Sequence, residues 1–331
     1  MVAAAIQAQE LDRSTVTINT DLVVTWVQVT AQQDGLPVKK LRADDFQLRE
    51  DGKLQQVSLV KEGQPLSVVI LVEGYAYTWP VERWYRRIEE VLQELGKDTE
   101  IAVMGYDSTT VLVQPLTKNL TVLTDKLKDK VAFHYFLGRQ LPERIAEAPP
   151  GEISLPRIGG AIYEAATYLD KAAAPERRKI IIFVTYSSFW QNETHFRTRA
   201  EVEQVLEQTG TTVYALLHGN EVRVHEGDPL YAVFNRNAIK KRDRSGTLEH
   251  FVNYTGGLAL KGAWEECDEL FIKLAQQIRS SYTIGYYPEN SNFDGRFRRI
   301  KVELSRSGKA KAGKVNIKTR DGYRASRRSP M

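Results

Sequence analysis

The chain has 331 residues, enough for two domains that each bury a hydrophobic core. Hydrophobic residues make up 42% and charged residues 27% of the sequence, as in ordinary soluble globular proteins, which excludes a wholly disordered chain and a multi-span membrane protein. The 46 basic and 42 acidic residues leave a net charge of +4, too small on its own to indicate nucleic-acid binding, and the single cysteine, Cys267, excludes an internal disulfide.

The first ten residues, MVAAAIQAQE, have small residues before Gln9, as at the cleavage site of a secretory signal, but lack the charged and long apolar parts of such a signal. A truncated signal and an ordinary frayed terminus both agree with this pattern. We expect residues 1–14 to be disordered or a signal-peptide remnant.

Residues 15–63 are predicted to form an antiparallel β segment. From Val23 to Val29 the side chains alternate with a period of two, and Asp34-Gly35 ends the run. A hairpin is predicted between the Phe46 and Leu48 arm and an arm with Val57 and Leu59, because Asp51-Gly52 supplies the positive φ angles of a tight turn.

Residues 64–280 show a different pattern. The apolar run from Leu66 to Glu73 is typical of a strand buried on both faces, and apolar residues at helical spacing follow it. Strand and helix patterns then alternate, which predicts a doubly wound, mostly parallel sheet with helices on both faces. Ligands of such sheets bind at the carboxyl ends of the strands. The further strands are predicted at 100–106, 110–113, 179–186 and 211–217, and the helices near 80–95, 120–127, 160–171, 199–208, 247–254 and 265–280.

Two long stretches interrupt this alternation. Residues 131–157 are rich in proline, and residues 219–245 are polar and include the basic run Lys240, Lys241, Arg242 and Arg244. Long loops in a compact domain are usually functional or disordered, so their roles stay open.

After residue 280 the chain returns to strand patterns at 282–287, 297–304 and 314–319. The first and last β segments are each too short to bury a core. We therefore predict that 281–325 pairs with 15–63 in one small antiparallel β-sandwich, with 326–331 as a tail.

Several short motifs in a fixed order resemble a known family. They are the segments 41–46 (LRADDF), 50–53 (EDGK), 65–72 (PLSVVILV), 254–257 (YTGG), 282–288 (YTIGYYP), 294–302 (DGRFRRIKV) and 319–323 (TRDGY). With them, the sequence from about Val16 to Tyr323 resembles the von Willebrand factor A (VWA) domain, and more closely its bacterial VWFA-related branch. The resemblance implies a VWA-like α/β fold, binding of another protein, and a periplasmic or extracellular location; without export the protein would be cytoplasmic.

The family's usual device is a metal-ion-dependent adhesion site, in which carboxylate and hydroxyl oxygens hold a magnesium ion. By resemblance, the matching positions are Glu73, Tyr75, Tyr77, Gly160 and Tyr186. Only Glu73 keeps a carboxylate, so we expect a degenerate site with no metal and no other cofactor. If the alignment of these positions is wrong, a metal-dependent adhesin is the alternative.

Six aromatic residues follow the two strands that lead to this site: Tyr75, Tyr77, Trp79, Tyr186, Phe189 and Trp190. Aromatic side chains with a polar tip are favoured in protein interfaces. They indicate a metal-independent aromatic rim that binds a protein partner. Whether this partner belongs to a larger assembly stays open. The competing interpretation is that the rings pack under the two long loops.

No catalytic constellation was found, because the histidines are scattered and no G-x-S-x-G motif surrounds Ser187 or Ser188. We expect a non-enzymatic protein without a small-molecule substrate. A second hypothesis is an anion or nucleic-acid binder that uses residues 240–244 and the basic C-terminal strands, which interleave with Tyr286, Tyr287, Phe293, Phe297 and Tyr323. Lys and Arg on edge strands also prevent aggregation with other chains, and this role explains the same basic strands without a ligand.

Overall fold

The computed structural model describes residues 22–73, 87–106, 109–128, 158–185, 197–218 and 246–325. We number their elements in chain order. The strands are β1 Val23–Ala31, β2 Phe46–Glu50, β3 Lys53–Gln55, β4 Val57–Glu62, β5 Leu66–Glu73, β6 Glu100–Tyr106, β7 Thr110–Thr117, β8 Arg178–Thr185, β9 Thr212–His218, β10 Ala259–Gly262, β11 Tyr282–Tyr286, β12 Phe297–Leu304, β13 Val315–Lys318 and β14 Gly322–Arg324. The helices are α1 Ile88–Leu95, α2 Leu120–Lys128, α3 Ile158–Ala172, α4 Arg199–Thr209, α5 Gly246–Tyr254, α6 Cys267–Arg279 and α7 Arg306–Ala312.

A six-stranded sheet in the order β10-β9-β8-β5-β6-β7 forms the centre of the α/β region. Its strands are parallel except β7, which runs antiparallel to β6. All eight residues of β5 are buried, because helices cover both faces of the sheet. Val68 and Ile70 pack in the core that α1 and α6 share, and Val69 and Leu71 pack in the core formed with α3, α4 and α5. The predicted mostly parallel sheet with helices on both faces is confirmed.

The first and last described segments form two four-stranded antiparallel sheets, in the orders β13-β1-β11-β4 and β14-β12-β2-β3. Val27 on β1 is paired with Tyr282 on β11, and Leu48 on β2 is paired with Val302 on β12. These four side chains belong to one hydrophobic core between the two sheets. Each sheet therefore needs strands from both ends of the described chain.

The predicted hairpin partner of β2 was wrong. Asp51 and Gly52 do adopt positive φ angles, of 47° and 83°, but the turn joins β2 to the three-residue β3. The Val57 and Leu59 arm, which is β4, pairs with β11 in the opposite sheet. The chain therefore passes from one sheet to the other at residue 56. The alternation of apolar and polar side chains does not predict this change.

The sheet that contains β1 packs against the end of the central sheet where the parallel strands begin. Arg178, the first residue of β8, is 3% exposed, and its guanidinium donates a hydrogen bond to the Tyr214 hydroxyl at 2.6 Å. The same guanidinium lies 4.5 Å from the centre of the Trp26 ring on β1. Gly256 has a φ of +72°, and a Cβ there would lie 2.3 Å from the backbone nitrogen of Arg320, so a larger residue would push the two parts of the chain apart.

The opposite edge, where the parallel strands end, is called the top edge below. In the described strands β5, β6, β8 and β10 it comprises the terminal residues Glu73, Tyr106, Thr185 and Gly262. Among the helices that the structure describes, none is long and apolar enough to cross a membrane.

Candidate functional site

The top edge carries a buried carboxylate. Glu73 ends β5 and is 2% exposed, and Thr185 ends the neighbouring parallel strand β8 and is fully buried. The Thr185 hydroxyl donates a hydrogen bond to the Glu73 carboxylate. A buried carboxylate needs such partners, because it has lost the water that would otherwise solvate its charge.

Tyr106, on the other side of β5, completes this part of the edge. It ends β6, is paired with Glu73 across the two strands, and is 1% exposed. Its ring packs edge-on against Phe183, with 5.2 Å between ring centres. Burial raises the pKa of the Tyr106 phenol well above its usual value and the charge of Glu73 adds to this, while the nearby Thr185 hydroxyl opposes it. The phenol therefore stays neutral at physiological pH.

Sequence analysis missed Thr185 and Tyr106. Both are the last residues of strands that flank β5, so they are the neighbours that a parallel sheet gives to Glu73. The order of the strands in the sheet was the missing information, because the sequence alone does not say that β8 and β6 lie on either side of β5.

Helix α3 also starts beside the top edge, because it precedes β8 and runs in the opposite direction over the sheet. Gly159 is buried and Gly160 is half-buried in its first turn, and α3 packs on β5 and β8. Gly160 stands where the family resemblance requires a threonine, and it offers no side-chain oxygen. The start of α3 therefore packs against the sheet, and Gly160 supplies no side-chain ligand for a metal.

The two described positions of the family's metal site, Glu73 and Gly160, do not by themselves supply a ligand set for a magnesium ion. Such an ion takes about six oxygen ligands in near-octahedral geometry. Glu73 is buried and its carboxylate accepts the bond from Thr185, and Gly160 has no ligand to offer. Within the described ranges, no group of three His, Cys, Asp or Glu side chains is arranged to hold a metal ion.

Most of the predicted site residues lie outside the described residues. This holds for the six aromatic residues and for the basic run, namely Tyr75, Tyr77, Trp79, Tyr186, Phe189, Trp190, Lys240, Lys241, Arg242 and Arg244. The described residues Glu73 and Thr185 immediately precede the two aromatic segments along the chain. Since these two residues are hydrogen-bonded, the last described residues before the two segments lie side by side at the top edge.

The five rings proposed for a nucleic-acid platform do not share a surface. Tyr286 is fully buried in the sandwich, and its hydroxyl donates to Glu50 at 2.6 Å. The Tyr323 hydroxyl donates to the same carboxylate at 2.9 Å. Tyr287, Phe293 and Phe297 are exposed. The Tyr286 ring therefore cannot stack on bases, and the half-buried Tyr323 is hydrogen-bonded to the same carboxylate.

Cys267 lies at the start of α6 as a free cysteine. It is fully buried, and burial raises the pKa of its thiol to about 12, with a smaller contribution from the charge of Asp268.

The described chain is thus a mixed α/β protein with a mostly parallel sheet, whose top edge is built around a buried Glu73. No protein-family model matches the sequence, and no curated protein matches it at the threshold of significance. The solved structures similar to it include conserved hypothetical protein BatB from Bacteroides thetaiotaomicron, with 15% identity and a TM-score of 0.40, over 64% of this chain and 97% of that one. They also include the SpRpn10 VWA domain, with 11% identity and a TM-score of 0.37, over 64% of this chain and 94% of that one.

A third similar structure is proximal thread matrix protein 1 from the mussel byssus, with 12% identity and a TM-score of 0.40. The match covers 67% of this chain and 49% of that chain, so the present chain spans about half the length of the mussel protein. The structural neighbours therefore include a VWA domain, at low sequence identity.

Proposed function

We propose that this chain is a non-enzymatic interaction or scaffold protein that binds another protein at its top edge without a metal ion. The observation that carries the proposal is the hydrogen bond from Thr185 to Glu73. The carboxylate at the position of the family's first metal ligand is engaged inside the protein, where it stabilises the ends of two strands and is withdrawn from solvent.

The architecture supports a binding role for this edge. The antiparallel sheets are fixed to the opposite end of the central sheet through Arg178, Tyr214 and Trp26. A site at the carboxyl ends of the strands is therefore clear of that contact and rests on a rigid sheet, which limits the entropy lost on binding.

The aromatic residues supply the binding surface in this proposal. The segments that carry Tyr77 and Trp190 leave from β5 and β8, at Glu73 and Thr185. We propose that their rings replace the lost metal as the source of affinity, because buried aromatic anchors dominate the energetics of many interfaces. The location outside the cytoplasm implied by the family resemblance belongs to the same proposal.

A non-enzymatic role is supported by the burial of the titratable groups at this edge. Glu73 is 2% exposed and Tyr106 is 1% exposed. An acid or base must come within hydrogen-bond reach of its substrate, and neither described group can do so in this arrangement.

The test is quantitative affinity capture from extracts of the source cells, with the Y77A/W190A variant beside the wild type, in EDTA and in excess Mg²⁺. The matched control is Y287A/F293A, which removes two exposed rings of the antiparallel region. We expect the wild type and the control to recover the same partner in both buffers, and the rim variant to lose it while keeping its melting temperature.

Three results would overturn the proposal. Recovery of the partner by the rim variant would show that the rings do not bind it, and recovery only in Mg²⁺ would show that a metal is required. A large fall in the melting temperature of the rim variant would show that the rings pack under the long loops.

A further inference from the structure

Charge is divided unevenly along the chain. Residues 281–325 contain 11 basic and 4 acidic residues. Residues 264–270 contain four acidic residues and no basic one, and residues 88–98 contain four acidic residues and one basic one. Such asymmetry within one chain indicates electrostatic interaction with something of complementary charge.

The basic residues form one face of the sheet that contains β12 and β2. Arg49, Arg299 and Lys301 are exposed there and alternate with inward residues of the core. Arg49 and Lys301 are direct cross-strand partners. Like charges in that position repel each other, and Arg49 also donates a hydrogen bond to the backbone oxygen of Gly52 at 3.1 Å. Leu54, 53% exposed, is the cross-strand partner of Arg49 on the other side.

Phe297 and Glu303 complete this region of β12. Phe297 is 37% exposed, and its ring lies over Gly322, where an added Cβ would be 2.7 Å from the ring carbons. Glu303 pairs with Lys301 at 2.9 Å, and this bond lowers the pKa of its carboxyl group, with Lys309 and Arg49 adding to the effect. One carboxylate is thus shared among three cations. We call Arg49, Leu54, Phe297, Arg299 and Lys301 the basic face.

The acidic residues gather on two helices that pack on each other. Glu89 and Glu90 lie in the first turn of α1, and Glu265, Glu266 and Glu269 lie at the start of α6; all five are exposed. Acidic residues in a first turn stabilise a helix through its dipole, and here two such turns combine. The charges of Asp268 and Glu269 act on Arg87, the partner of Glu90 at 2.6 Å, which shows that the two helix starts are close in space. We call these five glutamates the acidic end.

The two charged regions face away from each other. Helices α1 and α6 follow the parallel strands β5 and β10, so they begin near the top edge. The basic face is the outer side of the second antiparallel sheet, and the sheet with Trp26 lies between it and Arg178. Within one molecule the two regions therefore cannot meet.

We propose that the basic face binds the acidic end of a second copy of this chain, in a head-to-tail arrangement. The complementary charges lie on the same chain, and such charges steer two molecules together and fix their orientation. The exposed Leu54 and Phe297 add apolar area to the contact. The resulting pair keeps one free acidic end on one copy and one free basic face on the other, so the contact repeats and forms open chains. The proposal goes beyond the aromatic rim and does not use it.

The test is sedimentation velocity of the full chain over a range of concentrations, at about 20 mM and about 500 mM salt, where charge interactions are weakly and strongly screened. The variants are R49Q/K301Q, which weakens the basic face, and E89Q/E269Q, which weakens the acidic end. The matched control, K39Q/K61Q, removes two exposed lysines from other parts of the antiparallel region.

We expect the wild type and the control to associate at low salt and to dissociate at high salt, and each weakened variant to be monomeric alone. An equimolar mixture of the two variants should form dimers that do not grow, because one intact acidic end meets one intact basic face. The Y77A/W190A variant should associate like the wild type, which separates this contact from the function of the rim.

A wild type that stays monomeric at low salt at every concentration would overturn the proposal. So would a mixture of the two variants that forms no dimer while the wild type associates, since that indicates a symmetric contact. Binding of a labelled single-stranded oligonucleotide or of anionic vesicles by the basic face of a monomeric wild type would assign the face to a different partner.

Discussion

Thr185 donates a hydrogen bond to the carboxylate of Glu73 where β8 and β5 end, and both side chains are buried. The bond joins two neighbouring strands at the top edge. The hydroxyl also replaces part of the hydration that the buried carboxylate has lost.

Because of this bond, we expect T185V and T185S to differ in their free energy of unfolding. T185V removes the donor and keeps the shape, so we expect the free energy of unfolding to fall by about 1–3 kcal/mol, the cost of leaving a buried polar group without its partner. T185S keeps the hydroxyl and is the control. Chemical denaturation of both variants measures the difference, and a T185V protein as stable as the wild type would contradict this account of Glu73.

Arg178 is the second position where a large effect is expected. Its guanidinium bonds to Tyr214 and lies over Trp26, so R178A removes a charge-assisted hydrogen bond within the central sheet and a cation–π contact between that sheet and β1. We expect a loss of about 2–4 kcal/mol of unfolding free energy. R299A, at an exposed arginine, is the control and should change stability by no more than about 0.5 kcal/mol. Equal stability of the two variants would show that the contact contributes nothing.

Arg298 is expected to order the segment 287–296. Its side chain is 4% exposed, lies 3.4 Å from Glu50, and donates hydrogen bonds to the backbone oxygens of Asn290 and Asn292. In R298M the buried Glu50 loses its cation, which costs about 3–5 kcal/mol. Hydrogen exchange at 289–296 should then be faster than in the wild type and in the exposed-site control R299M, and unchanged protection there would refute the role of Arg298.

Cys267 provides a probe of α6. Since burial raises the pKa of its thiol to about 12 from an ordinary value of 9.0, the native thiol should not react with a thiol reagent at pH 8, and it should react once the chain is unfolded. The folded chain holds a proton that the unfolded chain releases, so this group makes stability fall as the pH rises from 9.0 to about 12. C267A should lose that part of the pH dependence. Rapid labelling of the native protein would contradict the burial.

Features with strong local signals were predicted from the sequence. The apolar run of β5 indicated a strand buried on both faces, and Asp51-Gly52 indicated a tight turn, because these patterns reflect burial and backbone freedom near one residue. Pairing is not local. The bond between Thr185 and Glu73 joins residues 112 positions apart, and nothing at either position reveals the other.

Short elements held by tertiary contacts were missed for the same reason. Helix α7 has no apolar stripe, and it is fixed by Ser305, whose hydroxyl accepts a bond from the Gly308 nitrogen, and by Lys311, which pairs with the buried Asp45 at 2.8 Å. Strands β10 and β14 have four and three residues, too few for a periodic pattern. The candidate site depends on long-range neighbours of this kind, so the sequence identified Glu73 and missed the residues around it.

The central claim, that the top edge works without a metal ion, is tested most directly by thermal unfolding of the full chain in EDTA and in excess Mg²⁺, Mn²⁺ and Ca²⁺. We expect the same melting temperature in all four buffers. A metal held at about 100 times its dissociation constant adds about 2.7 kcal/mol of stability. A melting temperature several degrees higher with one of these ions alone would therefore show that the protein binds a metal. That result would contradict the proposal that the top edge binds its partner without one.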